Sequence, residues 1–170
     1  GIHKHGCIYF MCGRYSLKNV LEVKKRFGVV IRPDPNIPPS SKVLVIDERR
    51  KTVFQSWGYS PIWAKKPFNL INARSETLCE KPSYKNAMRC IFIADGWYEW
   101  KKDCGGNQPY LHHLNGKLIF FGGIYNPTSG CAVVTRKSHE NLSSIYHRQP
   151  VLLVEKDFKG WLDGQDLFES

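Results

Sequence analysis

The sequence has no run of roughly 18 apolar residues, the length a helix needs to cross a bilayer, so no transmembrane helix is predicted. It has no C-x-x-C pair and no histidine at zinc-ligand spacing from a cysteine pair, so neither a metal nor any other cofactor is expected. The N-terminus lacks the basic-then-apolar order of a secretory signal. An intracellular protein is therefore expected, cytoplasmic or at the nucleoid, or nuclear in a eukaryote. Internal repeats and low-complexity segments are missing too. Acidic residues are few, 15 Asp and Glu against 25 Lys and Arg, for a net charge of +10. An excess of that size favours a polyanionic partner, although a merely basic surface fits it as well.

The 170 residues suit one domain. Gly1–Phe10 differ in character from the rest of the chain and are expected to be a leader or terminal extension, with the domain running from Met11 to Ser170. Of the six cysteines, Cys79, Cys90 and Cys131 are expected to be reduced, buried packing residues, and Cys104 to lie exposed in a turn. Ser16 is a plausible cap for a helix carrying Leu17, Val20, Leu21 and Phe27 and stopped by Gly28. Residues 32–41 hold four prolines and read as an ordered loop. Residues 42–47 and 52–58 read as strands, and residues 59–77 as an aperiodic binding loop. Residues 82–89 suggest a short helix, and residues 90–100 a strand broken near Asp95-Gly96. Asn115-Gly116 predicts a hairpin joining residues 109–114 to 117–125. A strand at 131–135, a short helix at 140–146, a strand at 150–154 and a closing helix at 157–162 complete the chain. The result is an α+β domain of mainly antiparallel sheet, barrel-like at its core, with a few flanking helices.

Several segments carry chemistry. In Met11-Cys12-Gly13-Arg14-Tyr15, the small second residue permits loss of the initiator methionine. Cys12 would then hold a free amine beside its thiol. A 1,2-aminothiol condenses with an aldehyde to a Schiff base, and the thiol then closes a five-membered thiazolidine. An internal cysteine cannot do this, because its nitrogen is an amide. Gly13 allows close backbone approach and Arg14 can hold a phosphate. In Asn72-Ala73-Arg74-Ser75-Glu76-Thr77, Asn72 can orient an amine or ring oxygen and Arg74 can grip a phosphate, though a turn with an exposed salt bridge has the same composition. In Ala94-Asp95-Gly96-Trp97-Tyr98-Glu99-Trp100, a strand puts Trp97 and Glu99 on one face, Tyr98 and Trp100 on the other. A Glu among indoles is a candidate for a raised pKa and general acid–base work. The late Tyr146-His147-Arg148 sets an imidazole beside a guanidinium. Trp57 to Lys66 interleaves aromatics with lysines, a composition that suits stacking on single-stranded nucleic acid.

In this order the segments M-C-G-R-Y, W-G-x-x-P-x-W-A, N-A-R-S-E-T, E-K-P-S-Y, A-D-G-W-Y-E-W and H-R-x-P-V resemble the SOS-response-associated peptidase (SRAP) family, from Met11 to about Val154. The resemblance implies binding of single-stranded DNA and covalent capture of abasic sites through Cys12, protecting the lesion in the DNA damage response. It implies that Asn72 positions the cysteine and the opened sugar, that Glu99 is the general acid–base, and that Arg14 and Arg74 clamp phosphates. Pro39, Trp63, Ser75, Trp100 and Arg148 would line the DNA path. It also implies a peptidase activity directed at the protein's own N-terminus. The partner is then single-stranded DNA with abasic sites, with no membrane, and the protein is expected to act as a monomer.

The chain departs from the family where I-H-x-R-M-P is usual and Ile145-Tyr146-His147-Arg148-Gln149-Pro150 stands instead. Aligned on Arg148 and Pro150, the histidine position holds Tyr146. In a strand, a one-residue shift turns a side chain to the opposite face. Either the backbone brings His147 inward, or the Tyr146 hydroxyl takes its place. Two rivals share the composition: a non-catalytic single-strand-binding module that does not need Cys12, and a cysteine peptidase acting in trans, which needs a Cys–His pair.

Overall fold

The computed structural model describes residues 13–103 and 106–169. The leader segment, Cys7, Cys12 and Cys104 lie outside the described residues. In chain order the elements are β1 (Tyr15–Leu17), α1 (Val20–Phe27), β2 (Asp34–Ile37), β3 (Lys42–Ile46), β4 (Thr52–Ser56), β5 (Asn72–Arg74), β6 (Met88–Ala94), β7 (Gly96–Asp103), β8 (Gly106–His113), β9 (Ile119–Asn126), β10 (Gly130–Lys137), α2 (Glu140–Ser143), β11 (Arg148–Pro150), β12 (Leu152–Leu153) and α3 (Phe158–Leu162). No helix among the described residues is long and apolar enough to cross a membrane.

The strands form two sheets. The smaller runs β2-β1-β7-β8 and is antiparallel throughout. The larger runs β11-β10-β9-β6-β3-β4, with β12 on β9 and β5 joined in parallel to β10. The α+β, mainly antiparallel reading holds, but neither sheet closes into a barrel. Aromatic alternation along β9 explains the layering. Phe121 faces the small sheet and meets the edges of Tyr15 and Trp97, with ring centroids 5.9 Å away in each case. Phe120 faces the other way, onto Phe27 of α1 and Phe158 of α3. Tyr15, fully buried, also meets Trp57 and Phe92 edge-on, which locks β1 to the large sheet. On the helical side, Trp161 donates its indole N–H to Cys90 O at 2.9 Å.

Five expectations need correction. Ser16 does not cap a helix: it pairs with Gly96 in β1, and its hydroxyl donates to Asp95 Oδ1 at 2.6 Å. Asn19 is the cap, its Oδ1 accepting from Glu22 N–H at 3.2 Å, while Gly28 ends α1 in the left-handed conformation as expected. Asp95 Oδ2 also accepts the backbone N–H groups of Lys18 and Asn19, at 2.6 and 2.9 Å, so the corner between β6 and β7 anchors the helix start. The proline-rich 32–41 segment is not all loop, since β2 lies within it. Residues 82–89 hold a 3-10 turn, Pro82–Tyr84, and the start of β6 in place of the expected helix. Cys79 is exposed, because it follows a surface 3-10 turn, whereas Cys90 and Cys131 are buried as expected.

The fifth concerns the hairpin. Asn115 and Gly116 do have positive φ, 53° and 83°, and Lys117 N–H donates to Leu114 O at 3.1 Å. The turn is there, but β8 pairs with β7 while β9 pairs with β6 and β10. β9 is buried at every position and needs partners on both edges; β8 is an edge strand in the other sheet. The turn therefore hands the chain from one sheet to the other.

Candidate active site and DNA-facing surface

The site is built where β1 enters the small sheet. Tyr15 pairs with Trp97, and Tyr98 N–H donates to Arg14 O at 3.0 Å, so the chain still runs along β7 at Arg14. Gly13, the next residue back, is buried. Alternation along β7 follows the sequence reading. Trp97 and Glu99 are buried, Tyr98 is half-buried and Trp100 is 36% exposed. Glu99 is 2% exposed and its Oε1 is shut off from solvent.

The large sheet carries the other candidate side chains. β5 runs parallel to β10, with Asn72 beside Val133 and Arg74 beside Thr135. Asn72 is half-buried, and its side-chain oxygen is likewise shut off from solvent. β11 pairs antiparallel on β10. Just ahead of β11, Tyr146 follows α2, its N–H donating to Leu142 O at 3.3 Å. Its phenol is raised above the ordinary value of 10.0, first by burial and then by the nearby charge of Glu99, with Arg148 opposing. The charge of Glu99 is thus felt at the Tyr146 hydroxyl. His147 is exposed, its ring leaning on that of Tyr146 with centroids 4.5 Å apart. Of the two alternatives left by the sequence, Tyr146 is the half-buried one and His147 the exposed one.

Arg148 has a different place from the one expected. It is 3% exposed and grips Glu76 with both terminal nitrogens, at 2.7 and 2.9 Å, while Nη2 also donates to Thr135 O and Oγ1. This geometry makes it a buried brace between β11, β10 and the turn after β5, with no exposed guanidinium for DNA. The hydrogen bonds from Arg148 hold the Glu76 carboxyl down at about 2. Arg74 is the exposed partner in this cluster, its Nε 3.6 Å from Glu76 Oε2. The exposed salt bridge anticipated for this turn therefore exists, and Glu76 serves both arginines. Sequence reasoning missed the Glu76–Arg148 brace; the only signal was two arginines and a glutamate in segments otherwise unconnected.

The remaining expected DNA contacts are spread over the surface. Trp63 is 54% exposed and meets Phe68 edge-on at 5.5 Å, on the loop carrying exposed Lys65 and Lys66. A cleft of about 530 Å³ beside this loop has Lys42 and Lys65 on its walls and no carboxylate lining it. Pro39 is half-buried on the adjoining turn, where Ser40 N–H donates to Trp57 O at 2.9 Å. Trp57 itself is core, 1% exposed, with its indole N–H on Ile71 O. Ser75 is half-buried beside exposed Arg74, and Arg14 half-buried next to Gly13. Trp100 stands on the face of β7 away from Glu99, beside Tyr98, whose hydroxyl donates to Pro35 O at 2.8 Å. Among the described residues, no group of three His, Cys, Asp or Glu side chains is close enough to hold a metal ion.

Fold and site together define a basic, single-domain α+β protein with a two-sheet core, a buried Glu99 on β7, a half-buried Asn72 on β5 and a half-buried Tyr146 ahead of β11. The chain belongs to the SOS response associated peptidase (SRAP) family, whose model matches residues 11–169. It is 33% identical over 180 residues to the abasic site processing protein YoqW of Bacillus subtilis, covering 90% of this chain and 80% of that one. It is 31% identical over 178 residues to the abasic site processing protein YedK of Escherichia coli, covering 89% and 79%. In structure it is similar to a phage-related protein of Bordetella bronchiseptica, with a TM-score of 0.70 at 27% identity, over 89% of this chain and 82% of that one. The same fold recurs in a protein of Bacteroides thetaiotaomicron, with a TM-score of 0.75 at 20% identity, over 89% and 81%.

Proposed function

We propose that this protein captures abasic sites in single-stranded DNA as a covalent thiazolidine adduct through Cys12, and so protects the lesion in the DNA damage response. The observation that carries the reading is the run of the chain at Gly13 and Arg14 alongside the strand that holds the buried Glu99, with the half-buried Tyr146 phenol raised by burial and by the charge of that carboxylate. The names of the relatives, abasic site processing proteins, agree with it.

The chemistry balances without an outside reagent. The abasic sugar opens to its aldehyde when a proton reaches the ring oxygen, the task of Glu99 as general acid. The Cys12 amine adds to the aldehyde carbon and water leaves, giving a Schiff base. The thiol adds to the same carbon as its proton passes to nitrogen, closing the ring. Asn72 orients the amine and the sugar oxygen. Tyr146 keeps its proton near neutrality and offers Glu99 or the sugar a hydrogen bond; it is a poor base there, so capture is served better than reversal. Arg14 and Arg74 hold flanking phosphates, with Trp63, Pro39, Ser75 and Trp100 along the strand. While any residue precedes Cys12 its nitrogen is an amide and the reaction is blocked. Removal of that segment is therefore required, and self-cleavage between Met11 and Cys12 is the peptidase step.

The test is a denaturing gel-shift with a chain beginning at Cys12 and an oligonucleotide carrying one abasic site. A band that survives denaturation, absent for Cys12→Ala and for a chain extended before Cys12, is expected. Native binding with no surviving band from either chain would point instead to a non-covalent binding module. Cleavage of peptides without DNA would point to a peptidase acting in trans.

A further inference from the structure

The face of the small sheet that carries Glu99 holds an exposed ring whose place is set by strand register. In an antiparallel pair, residues directly opposite share a face. Glu99 lies opposite Tyr110, and Trp97 opposite His112. The Trp97 and His112 rings stack, with centroids 4.7 Å apart at 30°, which fixes that pair on one face. Tyr110 comes two residues before His112 on β8, so it belongs to the same row, beside Glu99. Glu99 is 2% exposed, whereas Tyr110 is 38% exposed. Tyr98 and Trp100, with their partners Leu111 and Pro109, occupy the opposite face. Hence Tyr110, rather than Trp100, is the exposed aromatic on the Glu99 side of β7 and β8.

The rings of this row suit a base, with half-buried Lys101, two residues on from Glu99 along β7, a cation on the same face. Burial pushes His112 below its ordinary 6.5, so the row Trp97, His112, Tyr110 is a run of uncharged rings near pH 7. Opposite residues in such a pair have Cβ atoms about 5 Å apart, so a sugar held at Glu99 leaves its neighbouring base within reach of the Tyr110 ring.

We propose that Tyr110 is a substrate-positioning residue whose ring stacks on the nucleobase next to the abasic sugar, holding the lesion at Glu99. The proposal rests on the abasic-site reading and names the group that reads the lesion's neighbour. A stack of this kind needs the ring and not the hydroxyl, so Tyr110→Phe keeps it and Tyr110→Leu removes it while leaving an apolar residue on the edge strand.

The experiment uses a chain beginning at Cys12 and single-stranded DNA with a tetrahydrofuran abasic analogue, which has no aldehyde and therefore reports binding alone. A 2-aminopurine base is placed on the 5′ side in one oligonucleotide and the 3′ side in another. Wild type and Tyr110→Phe are expected to quench 2-aminopurine on one side. Tyr110→Leu is expected to lose that quench and to bind about five- to hundredfold more weakly, the range for one base–aromatic stack. An unchanged quench and Kd in Tyr110→Leu, with wild type binding normally, overturns the role of Tyr110 and leaves the abasic-site reading standing. A Tyr110→Phe variant as impaired as Tyr110→Leu also overturns it, since the hydroxyl would then be the acting group. Failure of wild type to bind the analogue at all overturns both.

Discussion

A carboxylate that is 2% exposed on an inner strand of a small sheet is a costly group to keep, since burying a charge costs several kcal/mol unless it is compensated. Glu99→Gln retains shape and hydrogen-bonding capacity while removing the transferable proton. It should slow covalent capture by at least about a hundredfold, the usual scale of general acid–base help, with native DNA binding unchanged. A time course on denaturing gels measures this, and capture at the wild-type rate would remove Glu99 from the chemistry. Tyr146 gives a second test. Because burial and the Glu99 charge both raise its phenol, it contributes no titration limb to the capture rate below about pH 10. Tyr146→His puts a group that titrates near neutrality against Glu99, and should speed release of a preformed adduct by on the order of tenfold or more. Release measured by competition with an excess of fresh abasic DNA decides it; an unchanged release rate would show that reversal does not depend on a titratable group at this position.

At the scale of elements, the brace from Glu76 to Arg148 joins the turn after β5 to β10 and β11, so it holds the wall on which Asn72 and Tyr146 sit. Its pH dependence has a definite sign. The folded carboxyl titrates at about 2 against an ordinary value of about 4.5, so its contribution is complete above about 4.5 and is lost as pH falls toward 2. Thermal melts of the wild type should therefore decline across that window, and Glu76→Gln should be less stable at pH 7 with a shallower decline in acid. The half-exposed Glu76 side chain is partly screened by solvent, which keeps the effect modest. Equal acid limbs in the two proteins would contradict the brace. In β9, Gly122 lets the sheet pass under Trp161: a Cβ there would lie 2.7 Å from the indole. Gly122→Ala should cost about 1–3 kcal/mol through overpacking, read as a lower urea midpoint.

Across the whole molecule, 25 basic against 15 acidic residues predict binding that weakens with salt. The slope of log K against log salt should be about −0.7 per phosphate contacted on a single strand. Arg74→Ala and Arg14→Ala should each lower its magnitude by about one contact, whereas Arg148→Met, with its guanidinium buried on Glu76, should leave the slope unchanged and lower stability instead. Titrations at several salt concentrations distinguish these. Much of this was legible in the sequence. Period-two alternation put Glu99 and Trp97 on one face because side chains must alternate along a strand. The Asp95-Gly96 break and the Gly28 stop were equally local, each set by backbone preference. What only the tertiary structure decided was pairing. A turn signal at Asn115-Gly116 states that the chain reverses, not which neighbour each strand finds, and here the burial of β9 on both faces sent β8 to β7. The same held for Arg148, whose partner lies 72 residues away, and for Tyr146 against His147, since which one is sheltered from solvent depends on how α2 delivers the chain to β11. Local chemistry is written in sequence spacing; contacts between distant segments depend on how buried surfaces are shared, and that is settled only when the two sheets pack.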